Sequence, residues 1–328
     1  MYDQIVEIIG SKLAQQKPIV DGVKILDYDP ADVAPPFKQT MWQGYPVYYD
    51  DEKHVYFIIK NNIRIPLISV TTFYELFKPD FDINEMALRY AQKPVYETPF
   101  LNTKGWADLP VDKRVKKIKK AWKDNNKDAT SYGTVAHMAM ECKAKIPRMD
   151  NSAIYAWMKY EHDKQYARPV IKDFLDDVES LLDAYISDGY ELVAEPVLAS
   201  LKAGLAGQAD LAAINHDTKQ IAILDYKTNK DNPKVKTGFG QLEGLLKNYP
   251  NNSWTMYCLQ LATYANMLLS QYKGYEVEYM ALLWLNPDTG KVEPLEINLE
   301  WITKVREIFR NLQQHNVFKR AYSLMFNN

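Results

Sequence analysis

Cysteine is scarce in this chain of 328 residues, with only Cys142 and Cys258 present. Two thiols are too few to hold an iron–sulfur cluster or a structural zinc by themselves, and both read as buried or incidental thiols. Long apolar runs are also missing. No stretch approaches the roughly 18 residues that cross a bilayer, and the segment Met1 to Leu13 carries acids inside its apolar stretch, where a secretory leader would be uninterrupted. The expectation is a cytoplasmic protein with no membrane contact. The phosphate loop G-x-x-x-x-G-K-[ST] is absent, so any coupling to ATP must come from a partner. Surplus charge is lacking as well: 40 basic against 42 acidic residues leave −2. No global field draws such a chain to nucleic acid, and attraction must be local.

What is present is an ordinary globular composition, 47% hydrophobic, enough for one large, well-buried domain. Tyr2, Ile5, Val6, Ile9 and Leu13 recur at helical spacing and predict an opening helix, followed by a connector marked by Pro30, Pro35 and Pro36. From Gly44 to Ile68, aromatic and β-branched runs predict a small antiparallel meander with turns near Asp50–Asp51 and Asn61–Asn62. Residues 71–188 read as mostly helical, with breaks near Pro79, Pro94 to Pro99, Pro110 and Pro147. Short strands then follow at Glu191 to Ser200, Leu205 to Ile214 and Gln220 to Asp225. A helix over Ser253 to Gln271, a strand pair at Glu276 to Leu285 and Lys291 to Leu299, and a last helix from Glu300 complete the chain. The expected organisation is a decoration over 1–64 and one main domain over 65–328, with its β core at about 190–300.

The segment Ile221-Ala-Ile-Leu-Asp225-Tyr-Lys227 delivers an acid and a lysine at the carboxyl end of an apolar strand, and period-two geometry puts both on one face. Asp-x-Lys alone is common, recurring here at Asp51 to Lys53 and Asp217 to Lys219, and a solvated ion pair at a strand end would explain it. Asp210, inside the apolar neighbouring segment Gly207-Gln-Ala-Asp210-Leu211, needs a stronger reason, because an unpaired buried carboxylate is costly. Glu195 brings a third acid on the preceding strand. Such a set can bind a divalent cation and orient or polarise water. His137 lies on a helix with Glu141 one turn later, and Gln260 and Tyr264 share a face of another. Either pattern alone is unremarkable, since a lone helical histidine is usually structural. Between Lys113 and Lys123 the lysines, Lys116 and Lys120 among them, face away from a stripe of Val115, Ile118 and Trp122; this is a surface for tracking DNA or simply a solvated helix face.

In that order, Gly133-Thr-Val-Ala-His137, Glu195, Gly207-Gln-Ala-Asp210, Asp225-Tyr-Lys227-Thr and Gln260-Leu-Ala-Thr-Tyr264 resemble the RecB-type branch of the PD-(D/E)XK nucleases. Ser69-Val-Thr-Thr72 is similar to the opening segment of phage-encoded exonucleases of that branch and of the mitochondrial genome maintenance exonuclease. The resemblance implies an α/β, restriction-endonuclease-like core: a mixed central sheet flanked by helices, here with a helical insertion and the N-terminal meander. It implies Mg²⁺ or Mn²⁺ held by His137, Glu195, Asp210, Asp225 and the Tyr226 carbonyl, with Lys227 positioning or activating water. Gln260 and Tyr264 would line the site, and Thr71, Thr72, Thr228 and Lys230 would touch phosphates. The four-cysteine iron–sulfur cluster of some members has no counterpart. The implied activity is DNA exonuclease action in recombination, replication or repair, alongside a helicase or a single-strand-annealing or binding protein. A silent DNA-binding copy of the fold and a small-phosphoester hydrolase are the alternatives.

Overall fold

In the computed structural model, the structure describes residues 2–15, 37–42, 45–50, 54–60, 63–93, 104–148, 150–154, 156, 170–235, 238, 240–286 and 288–327. The expected connector prolines 30, 35 and 36, the breaks at Pro94 and Pro99, and the turn residues Asp51, Asn61 and Asn62 lie outside them.

Helix α1 (Tyr2–Gln15) buries Ile5, Val6 and Ile9 at i, i+1 and i+4, the stripe its sequence predicts. Strands β1 (Phe37–Trp42), β2 (Tyr45–Asp50), β3 (Val55–Lys60) and β4 (Ile63–Ser69) form the meander. It begins one strand earlier than its apolar pattern indicates: Lys38, Gln39 and Thr40 give β1 the polar composition of an edge strand, and an edge is where it lies. The residue-64 seam falls inside β4, whose far end runs parallel to β7 (Leu205–Gln208) through Ile68 and Ser69. β7 pairs antiparallel with β6 (Val197–Ser200). One mixed sheet, β1-β2-β3-β4-β7-β6, therefore joins the meander to the core, and its edge strands β1 and β6 curl close to each other.

A second mixed sheet comprises β5 (Glu191–Ala194), β8 (Leu211–Asn215), β9 (Gln220–Lys227), β10 (Glu276–Leu285) and β11 (Val292–Glu296), in the order β11-β10-β9-β8-β5. β9 and β10 are parallel, which demands a crossover, and helix α6 (Ser253–Gln271) supplies it. Before it come α2 (Val70–Glu75), α3 (Ile83–Gln92), the 35-residue α4 (Val111–Lys145) and α5 (Val170–Ser187). After β11 come α7 (Glu300–Gln314) and α8 (Val317–Asn327). The last two form where one helix is expected, because Asn316 takes a positive φ of 52° and breaks the turn.

Both faces of the second sheet are covered, which is why β9 reads as a continuous apolar run. Ile221 and Ile223 pack with Leu259, Ala262 and Ala265 of α6, in a core shared with β6 and β7 of the first sheet. Leu224 and Tyr226 point the other way, onto Ala136 and Met140 of α4 and Phe174 and Val178 of α5. Alternation along β9 thus sends Asp225 and Lys227 toward the α6 side and the Tyr226 ring toward α4. Among the described residues, no helix is long and apolar enough to cross a membrane.

Candidate active site

The two strands expected at 191–200 and 205–214 are each broken, and the breaks fall at the acids. Glu195 separates β5 from β6 and Asp210 separates β7 from β8, at the points where one hairpin leaves the second sheet and enters the first. The breaks are stitched together: Glu195 N–H donates to the Asp210 carbonyl at 2.9 Å, and Ala209 N–H to the Pro196 carbonyl at 3.3 Å. Glu195 has φ +48° although a residue before proline is normally extended. Its side chain is held by Gln208, whose Nε2 donates to both Glu195 O and Oε2 at 3.1 Å. Period-two patterning carries no mark of a strand changing partners, so the sequence hid this crossover.

Asp210 is then fixed from two directions. Tyr226 N–H donates to its Oδ2 at 2.6 Å, tying it to the end of β9, while His137 Nδ1 lies 3.3 Å from Oδ1. His137 is carried by α4, which packs on this side of the sheet, and its ring meets the Tyr226 ring edge to face at 6.0 Å. Burial pushes the Asp210 carboxyl upward, but His137, Lys227 and the Tyr226 amide outweigh it and hold the group below its ordinary value. For His137 burial acts downward, and Asp210 overcomes it to leave the imidazole above its ordinary value.

Asp225 and Lys227 stand side by side on the other face of β9 in direct ionic contact, with 3% and 15% of their side chains exposed. Asp225 Oδ2 is sealed from solvent and, apart from that contact, has no hydrogen bond of good geometry among the described residues. Burial is the largest influence on Asp225; with Asp210 nearby it exceeds the pull of Lys227 and raises the carboxyl to about 6. Lys227 is disfavoured by burial as a cation, yet Asp225 and Asp210 hold it firmly protonated. One ammonium therefore serves a buried carboxylate, Asp225, and a half-buried one, Asp210.

Helix α6 closes this side. Gln260 Nε2 donates to Tyr264 OH at 3.1 Å, and the Tyr264 ring lies against β7 so closely that a Cβ at Gly207 would come within 2.6 Å of it. Gly207 is therefore the one residue type that admits the tyrosine. Tyr257, a turn before Gln260, places its ring 4.7 Å from Lys227 Nζ, and its hydroxyl donates to Asn229 Oδ1 at 3.2 Å. Neither Tyr257 nor Gln208 was singled out by the sequence. Tyr257 was findable, since Tyr257, Gln260 and Tyr264 fall on one face at i, i+3 and i+7.

The remaining expected residues sit farther out. Thr71 and Thr72 begin α2, both bonded to Ser69 Oγ (3.1 and 2.8 Å), and Thr71 lines a groove with Tyr257 and Gln260. Thr228 follows β9, its Oγ1 3.2 Å from where a Cβ of Gly133 would lie, and Lys230 is exposed. Lys116 and Lys120 are exposed on the far half of α4, where Ile118 packs on Ala87 and Ala91 of α3. At 1.5 Å per residue they stand about 31 and 25 Å along the axis from His137. Glu141 turns to Lys145 in direct ionic contact. Among the described residues, no three or more His, Cys, Asp or Glu side chains stand together in metal-holding geometry. His137 meets Asp210 and Asp225 meets Lys227, whereas the Glu195 carboxylate is turned to Gln208.

Acids and a lysine buried at the carboxyl end of a central strand, between two mixed sheets flanked by helices, define an α/β protein of restriction-endonuclease-like fold. A family model described as the PD-(D/E)XK nuclease superfamily matches residues 113–323, more than half of the chain. The chain belongs to the PD-(D/E)XK nuclease superfamily. A comparison with curated proteins gives no match. Among solved structures, one described as "Crystal structure of SSO0001" is 14% identical, the likeness covering 58% of this chain and 85% of that one with a TM-score of 0.21. So slight a superposition carries no argument about this chain.

Proposed function

We propose that the chain is a Mg²⁺- or Mn²⁺-dependent deoxyribonuclease of the RecB-type branch, an exonuclease serving DNA recombination, replication or repair. The observation that carries this reading is Asp210, fixed at the sheet crossover by Tyr226 N–H and His137, beside the buried Asp225–Lys227 pair. Asp225, 3% exposed, and Asp210, 18% exposed, share the Lys227 ammonium and the His137 imidazole, and their oxygen atoms are the donors a hard dication prefers.

Asp210, Asp225 and the Tyr226 carbonyl are the oxygen donors we assign to it, with Glu195 and His137 completing the set once Gln208 and Asp210 yield them. A dication held there supplies Lewis-acid polarisation of the phosphodiester and charge neutralisation as the bond breaks. The protein's own groups do the rest. Lys227, protonated and steadied by Tyr257, aligns the attacking water and the phosphate oxygen on the α6 side. Gln260 and Tyr264 wall that side and keep Lys227 aimed. Thr71, Thr72, Thr228 and Lys230 receive the flanking phosphates, and Lys116 and Lys120 guide more distant backbone. A helicase or a single-strand-annealing or binding protein would supply the DNA end.

The test uses end-labelled single- and double-stranded DNA with Mg²⁺, Mn²⁺ or EDTA, and wild type, Asp225→Ala and Lys227→Ala. Digestion by the wild type that needs the cation and disappears in both variants is expected. Equal digestion by all three proteins defeats the site assignment, and binding without cleavage by the wild type identifies a silent copy of the fold.

A further inference from the structure

The open side of the site continues into a groove of about 720 Å³ between the α2–α3 connection and the first turns of α6. Tyr257 and Gln260 line it, and the Tyr257 ring lies 4.7 Å from Lys227 Nζ, so the groove adjoins the site through these two side chains. Its walls are apolar at Met86 and Met256, and its rim carries Phe81, 67% exposed. Phe81 is the one aromatic among the exposed large hydrophobic residues described. The charge on the rim is unfavourable to backbone phosphate: Glu75 and Asp80 face a single Lys78, which is already paired with Glu75 at 2.5 Å. An apolar, aromatic groove with acids at its mouth suits the face of a nucleobase better than a phosphate chain. A base inside a duplex has no face to offer, whereas an unpaired one does.

We propose that this groove takes an unstacked base of a single strand, with Phe81 as its stacking platform, and so makes the site selective for single-stranded nucleic acid. The proposal rests on the nuclease reading above for its direction, because the base is held next to the phosphate presented to Asp225 and Lys227. Asn251 and Asn252 line the groove's end, where Asn252 Oδ1 caps α6 by accepting from Thr255 N–H at 2.8 Å. Phe81 is a binding residue here and takes no part in the chemistry.

The experiment measures binding in EDTA, so that cleavage does not intervene, with a short fluorescein-labelled oligothymidylate, the matching oligouridylate and a blunt duplex. Phe81→Ala should weaken oligothymidylate binding roughly 5- to 150-fold, the worth of one stacked base. Phe81→Trp should retain it, and duplex affinity should move less than about twofold in either variant. The exposed position leaves both variants folded, which a melting curve checks. Equal affinity for oligouridylate supports the groove and extends it to single strands of either sugar. Unchanged oligothymidylate binding in Phe81→Ala overturns the proposal, as does the absence of any oligonucleotide binding, which would leave the groove to a peptide of a partner. Parallel digestions with Mg²⁺ separate the two readings. Asp225-dependent cleavage with Phe81-independent binding removes only the groove, and Phe81-dependent binding without cleavage removes only the nuclease.

Discussion

The two ends of the β8–β9 hairpin carry the same tripeptide pattern and share almost nothing else. At one end Asp217-Thr218-Lys219 forms the turn, with Asp217 N–H and Thr218 N–H both donating to Asn215 Oδ1 at 3.0 Å and Lys219 at φ +60°. Its side chains stand in water. At the other, about 20 Å from Lys219 at 3.3 Å per residue, Asp225-Tyr226-Lys227 is extended. The acid and the lysine therefore share one face, between a sheet and a helix buried along most of its length. Spacing alone confers nothing; extended backbone aligns the pair, and burial makes the alignment matter electrostatically.

Breaking that contrast is the first test and the largest effect. Asp225→Ala and Lys227→Ala should each lower Mg²⁺-dependent DNA cleavage by on the order of 10²–10⁴-fold, the usual worth of a group that meets developing charge or a moving proton. Asp217→Ala and Lys219→Ala should stay within about twofold of wild type in the same end-label assay. A comparable loss at the turn would show that the assay reports folding and not the site.

Stability in EDTA sharpens the contrast further. Lys227→Met leaves the buried Asp225 carboxylate without its ionic partner and should cost about 3–5 kcal/mol, the range for breaking a buried ion pair, whereas Lys219→Met should change stability by less than about 0.5 kcal/mol. The double variant Asp225→Asn/Lys227→Met should recover part of the loss, because the residues are in contact and their effects do not add. Urea midpoints of the three proteins check this. A loss in Lys227→Met no larger than in Lys219→Met would mean that water reaches the pair.

Gly207→Ala acts at the same end without changing any charge. A Cβ there meets Tyr264 Cε1 at 2.6 Å, on a ring that is itself buried. Overpacking of this kind costs about 1–3 kcal/mol, and cleavage should fall with it because Tyr264 and Gln260 are displaced together. Gly133→Ala is the contrasting change, since its Cβ would meet Thr228 Oγ1 at 3.2 Å, a side chain able to rotate. Thermal melts of the two variants, with the larger shift expected for Gly207→Ala, decide whether the α6 wall is as rigid as the packing indicates.

The same contrast explains what the sequence disclosed. The run Ile221 to Leu224 announced a buried strand with Asp225 and Lys227 at its end, because a strand covered on both faces has to be apolar throughout. Asp210 stood out for the matching reason, as an acid where burial should have excluded one. α6 was legible from its length and the apolar residues that recur along it, Leu259, Leu261, Ala262, Ala265 and Leu268 among them. The fold's division into two sheets was not legible, since a hairpin that passes from one sheet to the other keeps the same local pattern on both sides of Glu195 and Asp210. Nor was β1 legible, because Lys38, Gln39 and Thr40 give an edge strand the composition of a loop. Gln208 stayed hidden for a related reason: it acts on Glu195 across the hairpin, and nothing in a linear pattern records such a contact.

The last test concerns pH, again in EDTA. Asp225 is raised to about 6, so across pH 4 to 6 the unfolded chain gives up this proton while the folded chain keeps it. The folded state then binds more protons, and stability falls as pH rises through that window. His137, also raised, contributes stability that is present below about pH 6.5 and is lost as pH rises through its folded value. Asp210 is lowered and acts oppositely, its contribution being lost only as pH falls below the ordinary carboxylate range. Asp225→Asn should therefore flatten the decline between pH 4 and 6 while leaving the later one, from His137, in place. Superimposable urea midpoints for wild type and Asp225→Asn across that first window would show that Asp225 is solvated like Asp217, and the contrast between the two ends of β9 would then rest on backbone geometry alone.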